Sequence, residues 1–190
     1  MSRYFSYFPN IEYKGKVIKD ITRRARILDD VESNPYSYLP YTIKDEETPE
    51  EIALHYYGDM SMVWIVYYSN KIVDPYYEWP LTYANFEKTL VKKYKAKAEE
   101  SEGTTLTNYE VINWTQNSTI TDNILYYYDS EDTRITKETF ANQSLSATEW
   151  TPMRIYDKEM LDNEAKRDIK LLNRTYASLA VENLKKVING

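Results

Sequence analysis

The sequence predicts an α+β chain in which capped helices and short strands share an aromatic core. Helix-start signals recur at separated places, as in "TPEE" from Thr48 to Glu51 and again at Thr82. Between and beyond them lie short alternating runs such as "NILYYY", bounded by Asn, Asp and Ser. Twenty tyrosines and four tryptophans, against four glycines and no cysteine, leave side-chain packing to hold the fold. Disulfides, thiolate metal sites and thiol catalysis are excluded together.

The chain of 190 residues is long enough for one domain, or for a small core module with appendages. Its net charge of −6, with no basic run or stripe, argues against nucleic acid as a partner. The N-terminus lacks the apolar run of a signal peptide, and no stretch is long and apolar enough to span a bilayer. The expectation is a cytoplasmic protein with no membrane contact, in which the Asn-x-Ser/Thr triplets at Asn113, Asn117, Asn142 and Asn173 stay unmodified. Tyrosine combines rigid contact area with a polar tip, so so many of them point to faces that meet partners as well as to a core.

Residues 1–37 read as an arm. Val17, Ile21 and Ile27 are too loosely spaced, and the charges too frequent, for an amphipathic helix; a short strand or helix ordering against something else is expected. A module follows over residues 38–94. Tyr41–Ile43 is a strand candidate, and then Thr48 caps a helix with Pro49 at its first position and Glu51 closing a capping box. Ile52, Ala53 and Tyr56 share one face, and Gly58 ends the helix in a left-handed cap. The run Val63–Tyr68, with Trp64 in it, has the composition of a buried strand, but a buried helix from Ser61 to Asn70 fits equally well. Asn70 tolerates a left-handed helix end, Pro75 fixes the backbone after Asp74, and Trp79 is placed to pack over the helices. A third helix begins at Thr82, with Leu81 and Phe86 as a hydrophobic staple, and runs to about Tyr94.

Residues 95–150 read as a charged hinge, "KAKAEESEGTT", followed by a small antiparallel meander that includes "YEVINW" and "NILYYY". Residues 151–190 read as a helical docking segment. Leu161, Ala165, Ile169, Leu172, Tyr176, Leu179 and Val187 recur at steps near three and four, although a break near Asn173–Thr175 would turn "DIKLL" into a strand before a last helix.

Catalytic chemistry has little to build on. His55 is the single histidine and is assigned a structural place in the first helix. Acid pairs such as Glu46-Glu47 and Glu99-Glu100 arise freely among 30 acidic residues. "DSED" at Asp129–Asp132 lacks the glycine and distal glutamate of a calcium loop, and the scattered glycines make no phosphate loop. No enzyme activity, ion or cofactor is expected.

The order strand, capped helix ending at "YYGD", second helix ending at "SN" and an Ile-x-Asp-Pro turn resembles a LysM module over about Tyr41–Asp74. That resemblance implies a βααβ fold, makes the Val63–Tyr68 run helical, and places a glycan groove between the loops Asp45–Pro49 and Asn70–Pro75. A LysM module closes with its second strand soon after this Asn; here the chain runs on into "PYYEWPLTYANF".

A longer pattern resembles the baseplate wedge protein 53 family of T-even-like contractile-tailed bacteriophages. Its marks are Asp74-Pro75-Tyr76-Tyr77, and Asn163-Glu164 followed by Arg167 and Ile169-Lys170, over about Tyr38–Tyr94 and Tyr156–Ile188. The resemblance implies a virion structural protein of the tail baseplate, assembled in the host cytoplasm. Six copies would clamp neighbouring wedge proteins and touch the sheath-initiating protein, and the LysM-like fold would serve protein contact. A peptidoglycan or N-acetylglucosamine-binding module is the alternative. The residues expected to shape the module or meet a partner are Thr48, Glu51, Trp64, Asn70, Asp74, Pro75, Tyr76, Tyr77, Trp79, Asn163, Glu164 and Arg167. Tyr156–Ile188 is the expected docking element, and a buried bidentate carboxylate contact by Arg167 would make that residue its anchor, whereas a surface position would contribute little.

Overall fold

A computed structural model describes residues 8–21 and 34–189, with side chains through residue 182. In chain order the elements are β1 (Asn10–Tyr13), β2 (Lys16–Lys19), a 3-10 turn at Pro35–Ser37, β3 (Tyr38–Thr42), α1 (Pro49–Tyr57), a 3-10 turn at Met60–Met62, α2 (Val63–Ser69) and α3 (Pro75–Glu78). They continue as α4 (Tyr83–Glu102), α5 (Asn108–Gln116), β4 (Ile124–Tyr128), β5 (Arg134–Ile135), α6 (Lys137–Asn142), β6 (Thr151–Arg154), α7 (Ile155–Glu164), β7 (Asp168–Leu172) and α8 (Arg174–Asn189). They form two compact units: one takes the described residues up to Trp79 and again from Lys166, and the other is the insert Pro80–Ala165.

In the first unit β1 and β2 form an antiparallel hairpin with Tyr13 opposite Lys16. Its two-residue loop, Lys14-Gly15, has φ of 49° and 71°, the paired positive values whose twist matches the strands. The rest of the expected arm, residues 1–7 and 22–33, lies outside the described residues. β3 pairs antiparallel with β7, from Tyr38 opposite Leu172 to Thr42 opposite Asp168. The ladder extends past both ends, since the Ile43 amide donates to the Arg167 carbonyl at 2.9 Å and the Asn173 amide to the Ser37 carbonyl at 2.8 Å.

Between these strands α1 begins as its capping chemistry dictates. The Glu51 amide donates to Thr48 Oγ1 at 3.3 Å, and the Thr48 amide donates to Glu51 Oε2 at 2.9 Å. Those Thr48 donors hold the Glu51 carboxyl below its ordinary range. Gly58, at φ 81°, closes the helix with its amide on the Leu54 carbonyl at 2.9 Å. The Val63–Tyr68 run is helical: Ile65 and Val66 are fully buried, one in each of the unit's two hydrophobic clusters, and that burial outweighs β propensity. Its C-terminal cap differs from expectation by one position. Lys71, at φ 57°, takes the left-handed place, with its amide on the Tyr68 carbonyl and the Ile72 amide on the Tyr67 carbonyl. Asn70 keeps a φ of −105°, which leaves its side chain free for β7.

The segment 168–172 is a strand, so the apolar spacing beyond Tyr156 does not describe one continuous helical stripe. Ile169 and Leu171 point into the cluster of Ile43, Ile52, Ala53 and Val66, while Leu172 joins Ile65 and Ala177. Alternation across a strand produces this split. Leu161, counted in the expected stripe, is exposed on α7.

The insert has its own core, centred on Phe86, Leu90, Val111, Trp114 and Ile155. Leu81 and Phe86 belong to this core, with Thr82 capping α4 through the Asn85 amide at 3.3 Å. The third helix thus lies in the insert, and it runs through the expected hinge to Gly103, whose φ of 66° ends it. Lys95 and Glu99, four residues apart, pair along its solvent face. "YEVINW" is helical where a strand was expected, because Thr107 and Glu110 form a second capping box and Val111 and Trp114 turn one face inward. "NILYYY" is a strand, the middle one of the antiparallel order β5-β4-β6. Asn123 holds the loop after α5: its amide donates to the Trp114 and Asn117 carbonyls at 2.7 and 2.8 Å, and its Oδ1 accepts from Arg154.

Each unit joins the chain ends that belong to the insertion point. In the insert the Leu81 amide donates to Asn163 Oδ1 at 2.7 Å, and Asn163 Nδ2 donates to the Leu81 carbonyl at 3.1 Å. In the first unit Lys166 Nζ donates to the Tyr77 carbonyl at 2.7 Å. Asn163 is buried, so Asn163→Ala leaves two backbone groups of Leu81 without their partner. The expected cost is about 1–3 kcal/mol in urea unfolding. Asn163→Asp, which sets a carboxylate against the Leu81 carbonyl, should not recover it. Parental stability for Asn163→Ala would contradict the clasp.

Candidate functional site

The first unit carries the residues that the sequence singles out in and around the β3–α1 loop and the turn after α2. Trp79 ties these two together. Its Nε1 donates to the Glu47 carbonyl at 3.1 Å, and its ring meets Tyr67 edge-on at 6.5 Å. It packs half-buried against the cluster of Ile43, Ile52 and Val66. Glu47 fixes its own loop as well, accepting from the Tyr41 hydroxyl at 2.7 Å and the Lys44 amide at 3.0 Å. Burial, and then Glu47, push the Tyr41 phenol up to about 12.

Asp74 caps α3 by accepting from the Tyr76 amide at 3.0 Å, and Pro75 occupies the first helical position, where no N–H is needed. Glu78 reaches back so that its Oε2 accepts from the Val73 and Asp74 amides at 2.6 and 2.8 Å. Short as it is, the turn therefore has its orphan donors satisfied from within. Tyr76 and Tyr77 stand outward, 90% and 76% exposed.

Asn70 and Arg167 bind the strands. Asn70 Nδ2 donates to the carbonyls of Val66 at 2.8 Å and Lys170 at 2.9 Å, and its Oδ1 accepts from the Lys170 amide at 2.8 Å. A side-chain amide thus stands in for a neighbouring strand on the outer edge of β7. Because Lys170 turns both backbone groups toward Asn70, its partner across the ladder, Pro40, sits where a missing N–H takes nothing from the pairing. The Tyr38 amide is taken by the Pro35 carbonyl, so the described outer edge of β3 is also poorly suited to strand addition. Arg167, with its side chain 15% exposed, places Nη2 3.1 Å from Asp45 Oδ1. This ion pair lies within the unit, between the start of β7 and the β3–α1 loop.

The remaining residues are dispersed. Thr48 and Glu51 serve the cap of α1, and Trp64 packs half-buried near Ile65 and Leu172. Asn163 and Glu164 lie at the end of α7 in the insert, where Asn163 is the Leu81 clasp and Glu164 is exposed. From the sequence Glu47 is only half of an acid pair, and Tyr67 and Lys166 carry no assigned role. Tyr67 acts through a ring edge, Lys166 on a backbone carbonyl, and Glu47 through both its carbonyl and its carboxylate, contacts that leave no motif. A separate open concavity of about 600 Å³ lies beside Pro35, Tyr38, Pro40 and Lys170, with Lys170 Nζ 4.3 Å from the Tyr38 ring centre. Among the described residues no group of three His, Cys, Asp or Glu side chains is arranged to hold a metal. What the site offers is contact chemistry: two loops fixed to each other, carboxylates, and outward aromatic rings.

Trp79→Phe keeps much of the ring packing and removes the bond to Glu47, so a loss of about 0.5–1.5 kcal/mol is expected in thermal or urea unfolding. Trp79→Ala should lose about 3 kcal/mol. Equal stability of Trp79→Ala and parent would show that the indole does not tie the loops.

Residues 3–187 match the family described as base plate wedge protein 53. Over 185 residues the chain is 25% identical to the baseplate wedge protein gp53 of Enterobacteria phage T4, covering 90% of this chain and 88% of that protein. The Asp74-Pro75-Tyr76-Tyr77 turn and the Asn163 to Lys170 stretch, on which the resemblance rested, are placed here as a capped turn and as the clasps that bring β7 to its partner. The chain belongs to the base plate wedge protein 53 family.

Proposed function

We propose that this chain is a non-enzymatic structural subunit of a contractile tail baseplate wedge, and that it clamps neighbouring wedge proteins together. The observation that carries the reading is the family match across residues 3–187, nearly the whole chain, insert included. The fold is in keeping with it. Strand β3, helices α1 and α2, and strand β7 follow one another in the βααβ order of a LysM-like module, with the insert placed before the second strand. The glycan groove expected between the Asp45–Pro49 and Asn70–Pro75 loops is poorly matched by a geometry in which the Trp79 indole bonds the Glu47 carbonyl. Protein contact is the better use of that frame.

In this reading the subunit resides in the virion tail baseplate and assembles in the host cytoplasm. Six copies join adjacent wedges and also meet the sheath-initiating protein. The blocked edges of the β3–β7 sheet direct contacts to side chains instead of strand addition.

The test is to infect cells with the chain's own phage while production of the chain is suppressed, and to count closed baseplates by electron microscopy. Separate wedges without closed baseplates are expected, with closure restored when the chain is supplied. Normal closure without the chain would contradict the proposal. Titration of the purified chain with N-acetylglucosamine oligomers should give no binding heat, and micromolar affinity would favour a glycan-binding role.

A further inference from the structure

Val73, Tyr76 and Tyr77 are 88%, 90% and 76% exposed, placing three of the most exposed large apolar side chains among the described residues within one short turn. Neither phenol has a hydrogen-bond partner among the described residues, so the fold makes no polar use of them. Their backbone is nevertheless fixed. The Asp74 cap, the Glu78 back-bonds, the Trp79 amide on the Pro75 carbonyl at 3.2 Å and Lys166 Nζ on the Tyr77 carbonyl hold the turn from both sides. A rigid backbone carrying large aromatic side chains loses little entropy when it is bound, and this is how interface anchors are built.

Charge indicates what the turn meets. Asp74 and Glu78 lie on the turn itself, while Asp45, Glu46 and Glu50 lie on the loop and helix start that Trp79 joins to it. Asp45 is paired with Arg167, whereas Glu46 and Glu50 have no basic partner among the described residues. Lys44 and Lys71 flank the same loops and Lys166 sits on the Tyr77 carbonyl, but Glu47 and Glu51 add to the acids, so carboxylates stay in excess. An apolar tip in that surplus complements an apolar pocket rimmed by Lys or Arg, and disfavours phosphate and other anionic surfaces.

We infer that Val73, Tyr76 and Tyr77 form an anchor that inserts into an apolar pocket, edged by lysine or arginine, on a neighbouring protein subunit of the baseplate. The inference rests on the structural role proposed above and adds which surface docks and what receives it. Tyrosine suits the position because its ring fills the pocket while its hydroxyl reaches the polar rim.

The test uses the full chain made during infection by its own phage. Tyr76, or as a control the equally outward Tyr109 of the insert, is replaced by the photo-reactive residue benzoylphenylalanine. Purified tails are irradiated and the linked peptides sequenced. Linkage from position 76 to a single tail protein, at a segment holding apolar residues and a Lys or Arg, is expected, and position 109 should not reach that segment. In parallel, the double variant Tyr76→Ser and Tyr77→Ser should keep parental thermal unfolding yet enter tails about thirtyfold less in competition with the parent. Glu46→Lys with Glu50→Lys should also compete poorly, and more so at low salt. A chain present in tails that gives no link from position 76, links only to glycan or to scattered proteins, or competes normally as the Tyr76 and Tyr77 variant overturns the inference and leaves the structural role standing. A chain absent from tails overturns both.

Discussion

The pairing of β3 with β7 is the interaction on which the first unit depends. Each strand finds its described ladder partner in the other, and the residues that meet lie far apart in sequence, with Thr42 bonding Asp168 across 126 positions. A flexible loop of that length would make closure slow and entropically costly, though the cost grows only with the logarithm of length. A compact insert changes the problem. Because Asn163 and Leu81 join the ends of Pro80–Ala165, the chain leaves and returns with little freedom, and Lys166 on the Tyr77 carbonyl does the same on the other side of the insertion point. Arg167 and Asn70 then set the strand in register, one against the Ile43–Asp45 stretch and the other along the outer edge. The marks of family resemblance near Asn163, Arg167 and Lys170 are thus intelligible as the chemistry of closing a module around an insertion.

The same pairing supports the turn that carries Tyr76 and Tyr77. Ile169 and Leu171 complete the cluster against which Trp79 packs, and Trp79 fixes the turn relative to the Glu47 loop. Tyrosine is used in both directions from this frame. Tyr57 turns inward and donates to the Leu172 carbonyl at 3.0 Å, with burial raising its phenol well above the usual range. Tyr76 and Tyr77 turn outward, and their hydroxyls have no hydrogen-bond partner among the described residues. An abundance of tyrosine is thus divided between locking strand to helix and presenting aromatic surface outward.

What the sequence makes legible is local chemistry. Thr48 with Glu51, Gly58, Asp74 with Pro75, and Thr82 each act within a few residues, and each sits where capping rules place it. The helix Asn108–Gln116 was also written locally, in the Thr107–Glu110 box, but the β-branched and aromatic run "YEVINW" masked it. Long-range amide pairings leave no such trace. Asn70 has the composition of a helix end, and only the folded chain reveals that it substitutes for a strand 100 positions away. The pairing of Arg167 with Asp45, 122 positions distant, is likewise visible only in the folded chain. The strand over "DIKLL" stood open beside a helix in the sequence, because Ile169 and Leu172 at a step of three fit a helix while Ile169 and Leu171 at a step of two fit a strand.

Amide hydrogen exchange of the folded chain tests the dependence on β3–β7 most directly. The amides of Ile43, Lys170 and Asn173 donate, in turn, to the ladder, to its Asn70 edge clasp and to its far end. If the pairing closes the unit as argued, these amides open together with one free energy, equal to that of the most protected amides of α1 and α2. Exchange of Lys170 and Asn173 at a distinctly lower free energy, with α1 and α2 still protected, would show that the module stands without its second strand and would contradict the account.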